Sequence, residues 1–505
     1  MELKDLIYKY KYRLLTLASL LVAAINLIPF FNKNSSAGST ICFIVGSACL
    51  LLLYLAIFKN ENINSNHIIF LIIGFGFVVR VAYIMQTGYT VRQHDVGNLQ
   101  SADTHLAYIL RLYKGEGLPD NAEWQFYQPP VWHFICSIWL KIQNLMGVGL
   151  EYACENLQTL SLFLSSAIML LTHKLFKLFN ISGKALALSL AIVAFHPSFI
   201  MLAGSINNDI LSLALSLYAI ILAVEWYKKP TLSKIIALAL ALGFAMGVKL
   251  SAGFCAVGIA MLFALKFFEK GIKNRKSIFG QFLAFGGVCV PLGLWWPIRN
   301  AIMFAKPLTY VPSLSVTSKQ FIGFRGTFER LFDISSLWET GVYPARVINS
   351  QSFEYFDYNI PVGCLKSSVL GEYYIGQKTS AGNLFANLLF YSAALLAIIA
   401  VICAVYTVIK AIKTKNNADI TLYPAVLWIV YLASYVKFCF DYAFFCTMDF
   451  RYIALTLILG ALYIGLMLKD FGNKNTTFGK ICLYGCITLT LLMSVSSVAL
   501  YVAMP

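Results

Sequence analysis

Apolar runs of about 20 residues recur along the chain, separated by short links rich in lysine. Coiled as a helix, a run of that length matches the hydrocarbon core of a bilayer. The runs 12–31, 41–58, 67–86, 157–176, 185–204, 209–226, 234–248, 251–268, 279–297, 385–409, 422–438, 453–468 and 480–503 predict thirteen transmembrane helices. Gly247, Lys249 and Gly253 break the pair 234–248 and 251–268 most strongly. Two long polar stretches interrupt the series. The pattern therefore divides the chain into an N-terminal three-helix segment (1–86), a first loop (87–156), a central six-helix core (157–297), a second loop (298–384) and a C-terminal four-helix segment (385–505).

The first loop has a different period. Val131, Ile135, Ile138, Ile142 and Leu145 recur at spacings of four and three, with His133, Ser137, Lys141 and Asn144 on another face. That is the pattern of an amphipathic helix lying in the membrane interface. Leu99, Ala102, Leu106, Ile109 and Tyr113 make a similar stripe over 98–114. Two interfacial helices are thus expected, flanking the polar segment GEGLPDNAEWQFYQPP.

Composition agrees with the pattern. Apolar residues make up 59% of the chain and charged residues 12%, against roughly 45–50% and about 25% in a soluble domain. A soluble enzyme and a disordered chain are both excluded. The formal net charge of +16 is largely topological. With the N-terminus in the cytoplasm, more than half of the basic residues fall in cytoplasmic segments, among them Lys4, Lys9, Lys11 and Arg13, Lys174 and Lys177, Lys228 and Lys229, and the cluster 266–276. The charge also suits anionic membrane lipids and gives no reason to expect nucleic acid. The apolar run after MELKDLIYKYKYR lacks a small-residue cleavage signal and reads as a retained helix. The 12 cysteines lie mostly in apolar stretches, without CxxC pairs, so no structural zinc site is indicated.

Candidate chemistry starts at Arg92-Gln93-His94-Asp95, about nine residues beyond the third span. Spacing alone leaves Asp95 as an N-cap or a solvated loop carboxylate. His94 is either an ordinary interfacial histidine or a group that orients Asp95. His105 is expected on the surface of the following helix. Lys249, Arg299 and Arg451 fall at outer ends of spans. They either snorkel to the headgroups or bind a phosphate, Arg bidentately and Lys as a point charge. Asp209 is either an N-cap of the next span or a partner of Asp95 in holding a divalent cation or an acceptor. In the second loop, Arg346 and Lys366 are further cationic candidates. The loop's many aromatics, including Tyr310, Phe321, Phe324, Trp338 and Tyr343, suit either interfacial packing or a lid over an acceptor site, to which Glu372 would belong.

An acid in the first outer loop resembles the membrane-embedded glycosyltransferases of the GT-C class, and further segments match in order. Tyr127-Gln128-Pro129-Pro130-Val131 is similar to the element that closes the family's first loop. Phe195-His196-Pro197 followed by Asn207-Asn208-Asp209 resembles its second acidic site. Gly247-Val248-Lys249-Leu250-Ser251 resembles its Gly-x-x-Lys segment, Trp295-Trp296-Pro297-Ile298-Arg299-Asn300 its Pro-x-x-x-Arg-Asn element, and Asp449-Phe450-Arg451-Tyr452 its late Arg-Tyr. The similarity covers most of the chain and is nearest to the protein O-mannosyltransferase and aminoarabinose-transferase branch. Three helices precede Asp95 where that family usually has one. No large soluble domain follows the last span, which argues against a sequon-reading role.

The resemblance implies an all-α polytopic fold. It implies a hexosyl- or pentosyltransferase that moves a sugar from a polyprenyl-phosphate donor to a lipid, glycan or protein hydroxyl at the outer face of a plasma membrane, expected to be bacterial, with inversion. Asp95 would be the catalytic base. His94, Tyr127, Gln128, Asp209, Lys249, Arg299 and Arg451 would bind substrate, and Asp95 and Asp209 are the candidates for any divalent cation. Two other readings stay open. One is a polyprenyl-linked saccharide polymerase or ligase, although these need no early acid. The other is a lipid or sugar transporter, although the chain shows no repeat and its acids sit at the boundary of the membrane.

Overall fold

The computed structural model describes the chain except for residues 1–2, 32–34, 59–60, 270–273, 350–351, 356, 374, 376, 416–417, 475 and 505, and describes 345–355 and 473–474 as backbone only. The Lys270 and Lys273 positions and the Arg346 side chain thus lie outside the described residues. In chain order the helices are α1 (Leu3–Ile25), α2 (Ser36–Phe58), α3 (Ser65–Gln86), α4 (His105–Lys114), α5 (Val131–Leu145), α6 (Leu150–Glu155), α7 (Gln158–Leu178), α8 (Gly183–Phe195), α9 (Pro197–Gly204), α10 (Asp209–Lys228), α11 (Leu232–Val248), α12 (Cys255–Phe267), α13 (Arg275–Phe304), α14 (Thr327–Phe332), α15 (Ser336–Thr340), α16 (Ile360–Leu370), α17 (Ser380–Thr414), α18 (Ala418–Asp441), α19 (Leu455–Lys474) and α20 (Thr477–Val498). A small antiparallel hairpin, β1 (Ala345–Asn349) and β2 (Ser352–Tyr355), departs from the all-α expectation.

The protein is an integral, multi-pass membrane protein. Among the described residues, ten helical stretches are long and apolar enough to cross a membrane. An eleventh is the bent pair α8 and α9, broken by 47°. The break has a local cause. His196 precedes Pro197, whose ring disfavours the helical region for the residue before it, and His196 is extended (φ −69°, ψ 131°). All thirteen expected spans fall on helices. The two outside the count are α1, whose first half is crowded with charge, and α11, which has 17 residues.

The chain divides into two compact units. The first comprises 1–180, 201–312 and 415–427. In it α7 packs against α1, α3 and α10, α2 lies on α3, and α11 packs between α10 and α13. Gly243 and Gly247 allow α11 its close approach. A Cβ at Gly243 would sit 2.9 Å from the Leu292 Cβ, and one at Gly247 3.2 Å from Val131. Small residues four apart are a common way for helices to meet in a membrane, where close van der Waals packing replaces the hydrophobic drive. The second unit comprises 181–200, 313–414 and 428–505. Here α17 packs with α19 and α20, α8 lies on the same two helices, and α16 lies on α17.

The first loop holds α4 and α5 as a packed pair. α4 begins at His105, later than the expected 98, because Thr104 caps it by accepting the Ala107 N–H. His105 is buried, which corrects its expected surface position. Its Nδ1 lies 2.9 Å from Nε2 of the equally buried His133, whose ring stacks on Tyr108. Burial first, and then the neighbouring His105, hold the His133 pKa well below the ordinary histidine range.

Candidate functional site

The Asp95 loop folds back on itself. Asp95 adopts a left-handed backbone (φ 57°), a conformation Asp tolerates better than most residues. Its carbonyl accepts the His105 N–H at 3.0 Å, and the Val96 carbonyl accepts that of Leu106 at 3.1 Å. Residue 95 therefore lies at the N-terminus of α4 although it is ten residues away in sequence. Gly97 makes this possible. Its φ is 71°, and a Cβ there would come within 2.7 Å of Ser101 and Thr104. Asp95 is exposed, and His94 is half-buried. The positive end of the α4 dipole is a setting that suits a carboxylate.

Gln93 ties this loop to the irregular stretch between α9 and α10. Its amide donates to the Gly204 carbonyl at 2.7 Å and accepts the Ile206 N–H at 3.1 Å. Gln158 Nε2 donates to the same Gly204 carbonyl (3.0 Å) and to that of Thr87 (2.7 Å). Trp132 Nε1 donates to the Ile206 carbonyl at 2.5 Å, and the Ser161 hydroxyl donates to the Ser205 carbonyl. Non-helical backbone within an apolar surrounding survives only where its polar groups find partners, and here side chains from three elements provide them. The sequence reading missed Gln93, Gln158 and Trp132. Gln158 and Ser161 did carry a signal, as polar residues inside an otherwise apolar run.

The same stretch leads into the second acidic site. Asp209 opens α10, and the position ahead of it, where a cap would sit, is Asn208. Asp209 is paired with Lys249, and both side chains are largely buried. Lys249 stands in an extended conformation (φ −154°) where α11 ends. Asn208 Nδ2 donates to the Val248 carbonyl (2.8 Å) and to Gln128 Oε1 (3.2 Å), and Gln128 Nε2 donates to the Tyr127 hydroxyl (2.7 Å). Four expected site residues, Tyr127, Gln128, Asp209 and Lys249, thus join one network through Asn208.

Arg299 serves a neighbouring part of the loop. Its guanidinium donates to the Pro119 carbonyl at 2.6 Å and lies 4.5 Å over the Trp296 ring. Trp296 Nε1 donates to the Tyr127 carbonyl at 2.7 Å. An apolar cavity of about 570 Å³ opens nearby, lined by Val131, Phe134, Leu211, Leu215, Phe244 and Trp295 among others. Leu211 lies two residues beyond Asp209, and Val131 fills the space a side chain at Gly247 would take. Asp95 and Asp209 are the two acids considered for a divalent cation. The Lys249 ammonium already neutralises Asp209, so a cation there would displace an ion pair.

The remaining candidates lie in the second unit. Asp449 accepts the Arg451 backbone N–H at 2.8 Å, and its carboxylate lies 3.6 Å from the Arg451 Nε. Arg451 also donates to the Tyr452 hydroxyl at 3.0 Å. Lys366 is fully buried and donates to Asp357 and Thr340, each at 2.8 Å. Burial lowers the Lys366 pKa and raises that of Asp357, and their mutual attraction opposes both shifts. Glu372 is half-buried.

No protein-family model matches the sequence, and no curated protein matches it. Solved structures with some likeness come from Archaeoglobus fulgidus. One is its oligosaccharyltransferase in complex with Zn and sulfate (TM-score 0.44, 12% identity, 85% of this chain and 53% of that one). Another is the oligosaccharyltransferase AglB with an inhibitory peptide and a dolichol-phosphate (0.45, 13%, 86% and 55%). A third is the oligosaccharyltransferase tethered to an acceptor peptide containing the NVT sequon (0.46, 12%, 86% and 55%). The chain spans about half the length of these proteins.

Proposed function

We propose that this protein is a membrane glycosyltransferase of the GT-C class, moving a sugar from a polyprenyl-phosphate donor to a hydroxyl acceptor. The observation that carries the reading is the Gln93 clamp. It fastens the loop bearing an exposed Asp95 to the backbone that runs into the Asp209–Lys249 pair, beside a wholly apolar cavity. A carboxylate, a cation and an apolar cleft in one unit are what a reaction between an alcohol and a lipid-linked sugar phosphate requires.

In this reading the acceptor oxygen attacks the anomeric carbon as the bond from that carbon to the phosphate oxygen breaks. Asp95 takes the hydroxyl proton, and the carrier phosphate leaves with the electron pair. One displacement inverts the anomeric centre. The isoprenoid chain lies in the apolar cavity, where its burial drives binding. Lys249 offers its charge to the phosphate and holds Asp209 in place, while Tyr127 and Gln128 shape the sugar side. Arg299 braces the 119–127 segment and Trp296. The acceptor is a lipid, glycan or protein hydroxyl, and the reaction takes place at the outer face with the N-terminus in the cytoplasm.

The test is to incubate purified protein with a panel of polyprenyl-phosphate sugars and measure release of the free carrier. Release that needs an acceptor alcohol supports the proposal. No turnover with any donor, under conditions where the protein is folded, refutes it. For orientation, single cysteines at Asn121 and Lys184 should label from opposite sides of the membrane, Asn121 from outside. The reverse pattern would invert the topology.

A further inference from the structure

The second loop exposes large aromatic side chains close to the end of a spanning helix. Phe324 is 90% exposed, Phe328 73% and Phe332 65%. Phe328 and Phe332 lie one turn apart on α14, their ring centroids 5.5 Å apart. The opposite side of the same short helix carries Arg330, which is buried. Its Nη2 donates to the Cys439 carbonyl at 2.9 Å, and its guanidinium lies 5.3 Å over the Phe440 ring. Cys439 and Phe440 belong to the last turn of α18, a helix long and apolar enough to span. The segment just before α14 is fixed to the chain just after α18. The Phe445 N–H donates to the Gln320 carbonyl at 2.8 Å, the Ile322 N–H donates to the Ala443 carbonyl at 3.2 Å, and Phe321 bridges to Phe444. Two independent attachments thus hold residues 320–332 at the level where α18 leaves the membrane.

That level decides what covers the aromatic face. Facing water, the Phe328–Phe332 pair, with Phe324 exposed four residues earlier and packed on Phe321, would present apolar surface of a kind that soluble proteins avoid. At the end of a spanning helix the adjoining phase is the boundary between headgroups and acyl chains, where amphipathic segments bury their apolar side and basic residues meet the headgroups. The charges fit. Lys319 flanks the patch and is exposed; Arg325 and Lys437 are exposed too, each also paired with an acid one turn on, Glu329 and Asp441. We propose that the face formed by Phe324, Phe328 and Phe332 docks on this boundary layer of the bilayer, so that the second loop lies on the lipid surface and does not project from it. The buried Arg330 clamp sets its depth. This inference is independent of the glycosyltransferase reading.

The test places the photoreactive residue p-benzoylphenylalanine at Phe324, and separately at Phe328, in the full chain reconstituted into phosphatidylcholine–phosphatidylglycerol vesicles. The same residue at Ile402, exposed on the spanning helix α17, calibrates the yield of lipid adducts. Adducts with phospholipid at both loop positions, within about threefold of the Ile402 yield, are expected. Two results overturn the proposal: no lipid adduct at either loop position while Ile402 reacts, or crosslinks from the loop to a second copy of the chain in place of lipid. Both positions are exposed and p-benzoylphenylalanine keeps an aromatic ring at each, so the contacts with Phe332 and Phe321 are retained.

Discussion

Replacing Lys249 with Met tests how the second acidic site is held together. The substitution keeps the length of the side chain and removes its charge, leaving the Asp209 carboxylate, whose side chain is 7% exposed, without its cation. Breaking a buried pair by removing one partner costs roughly 3–5 kcal/mol. Proton uptake sets a ceiling on that cost. A carboxylic acid of ordinary pKa, about 3.9, takes about 4 kcal/mol to protonate at pH 7 and about 1.5 kcal/mol at pH 5. Lys249→Met should therefore lose about 3–4 kcal/mol at pH 7 and recover much of it at pH 5. Adding Asp209→Leu should restore most of the loss at pH 7, because the buried carboxylate that faced Lys249 is then gone. The assay is denaturation by SDS in mixed micelles at both pH values, for wild type, each single variant and the double variant. The reasoning fails if Lys249→Met is as stable as wild type at pH 7. It also fails if the double variant loses the sum of the two single losses, since the two residues would then act independently.

Three further outcomes are expected. Asp95→Asn keeps the shape of the side chain at an exposed position, so it should abolish sugar transfer while the protein stays folded and inserted; full activity would remove Asp95 as the base. Gln93→Leu takes the partner from the Ile206 N–H and one of two donors from the Gly204 carbonyl, so it should cost about 1–3 kcal/mol and lower kcat more than it raises KM; an unchanged kcat would mean that the clamp does not position Asp95. For His133, the folded pKa lies below the ordinary histidine value of about 6.5, so the folded state binds fewer protons than the unfolded chain between the two values. Its contribution to stability is complete above about pH 6.5 and is lost as the pH falls below that. Thermal midpoints measured from pH 7.5 to 5 should fall, and His133→Phe should flatten that dependence.

Hydropathy along the chain was enough to establish the membrane class and to place nearly every long helix. A run of about 20 apolar residues buries its backbone polar groups only by coiling, which is a local requirement. It also marked the amphipathic period of α5, but read 185–204 as one span and did not show the break after His196. Asp209 and Lys249 were legible as candidates because charged residues at the ends of apolar runs stand out, whereas Tyr127 and Gln128 were candidates only through the resemblance to the GT-C class. Their joining through Asn208 was not legible, since Gln128 and Asn208 are 80 residues apart and no local pattern encodes the pairing. Tertiary structure alone decided that the first loop folds back so that the Asp95 carbonyl caps α4, that Lys249 neutralises Asp209, and that Lys366 spends its charge inside the protein on Asp357. It also turned His105 inward against His133. Each of these is a choice of partner for a polar group. Burial makes an unpaired polar group costly, but which partner is at hand depends on how distant helices pack. Hydropathy along the chain therefore fixes where the helices are, and the close packing of those helices fixes which side chains can do chemistry.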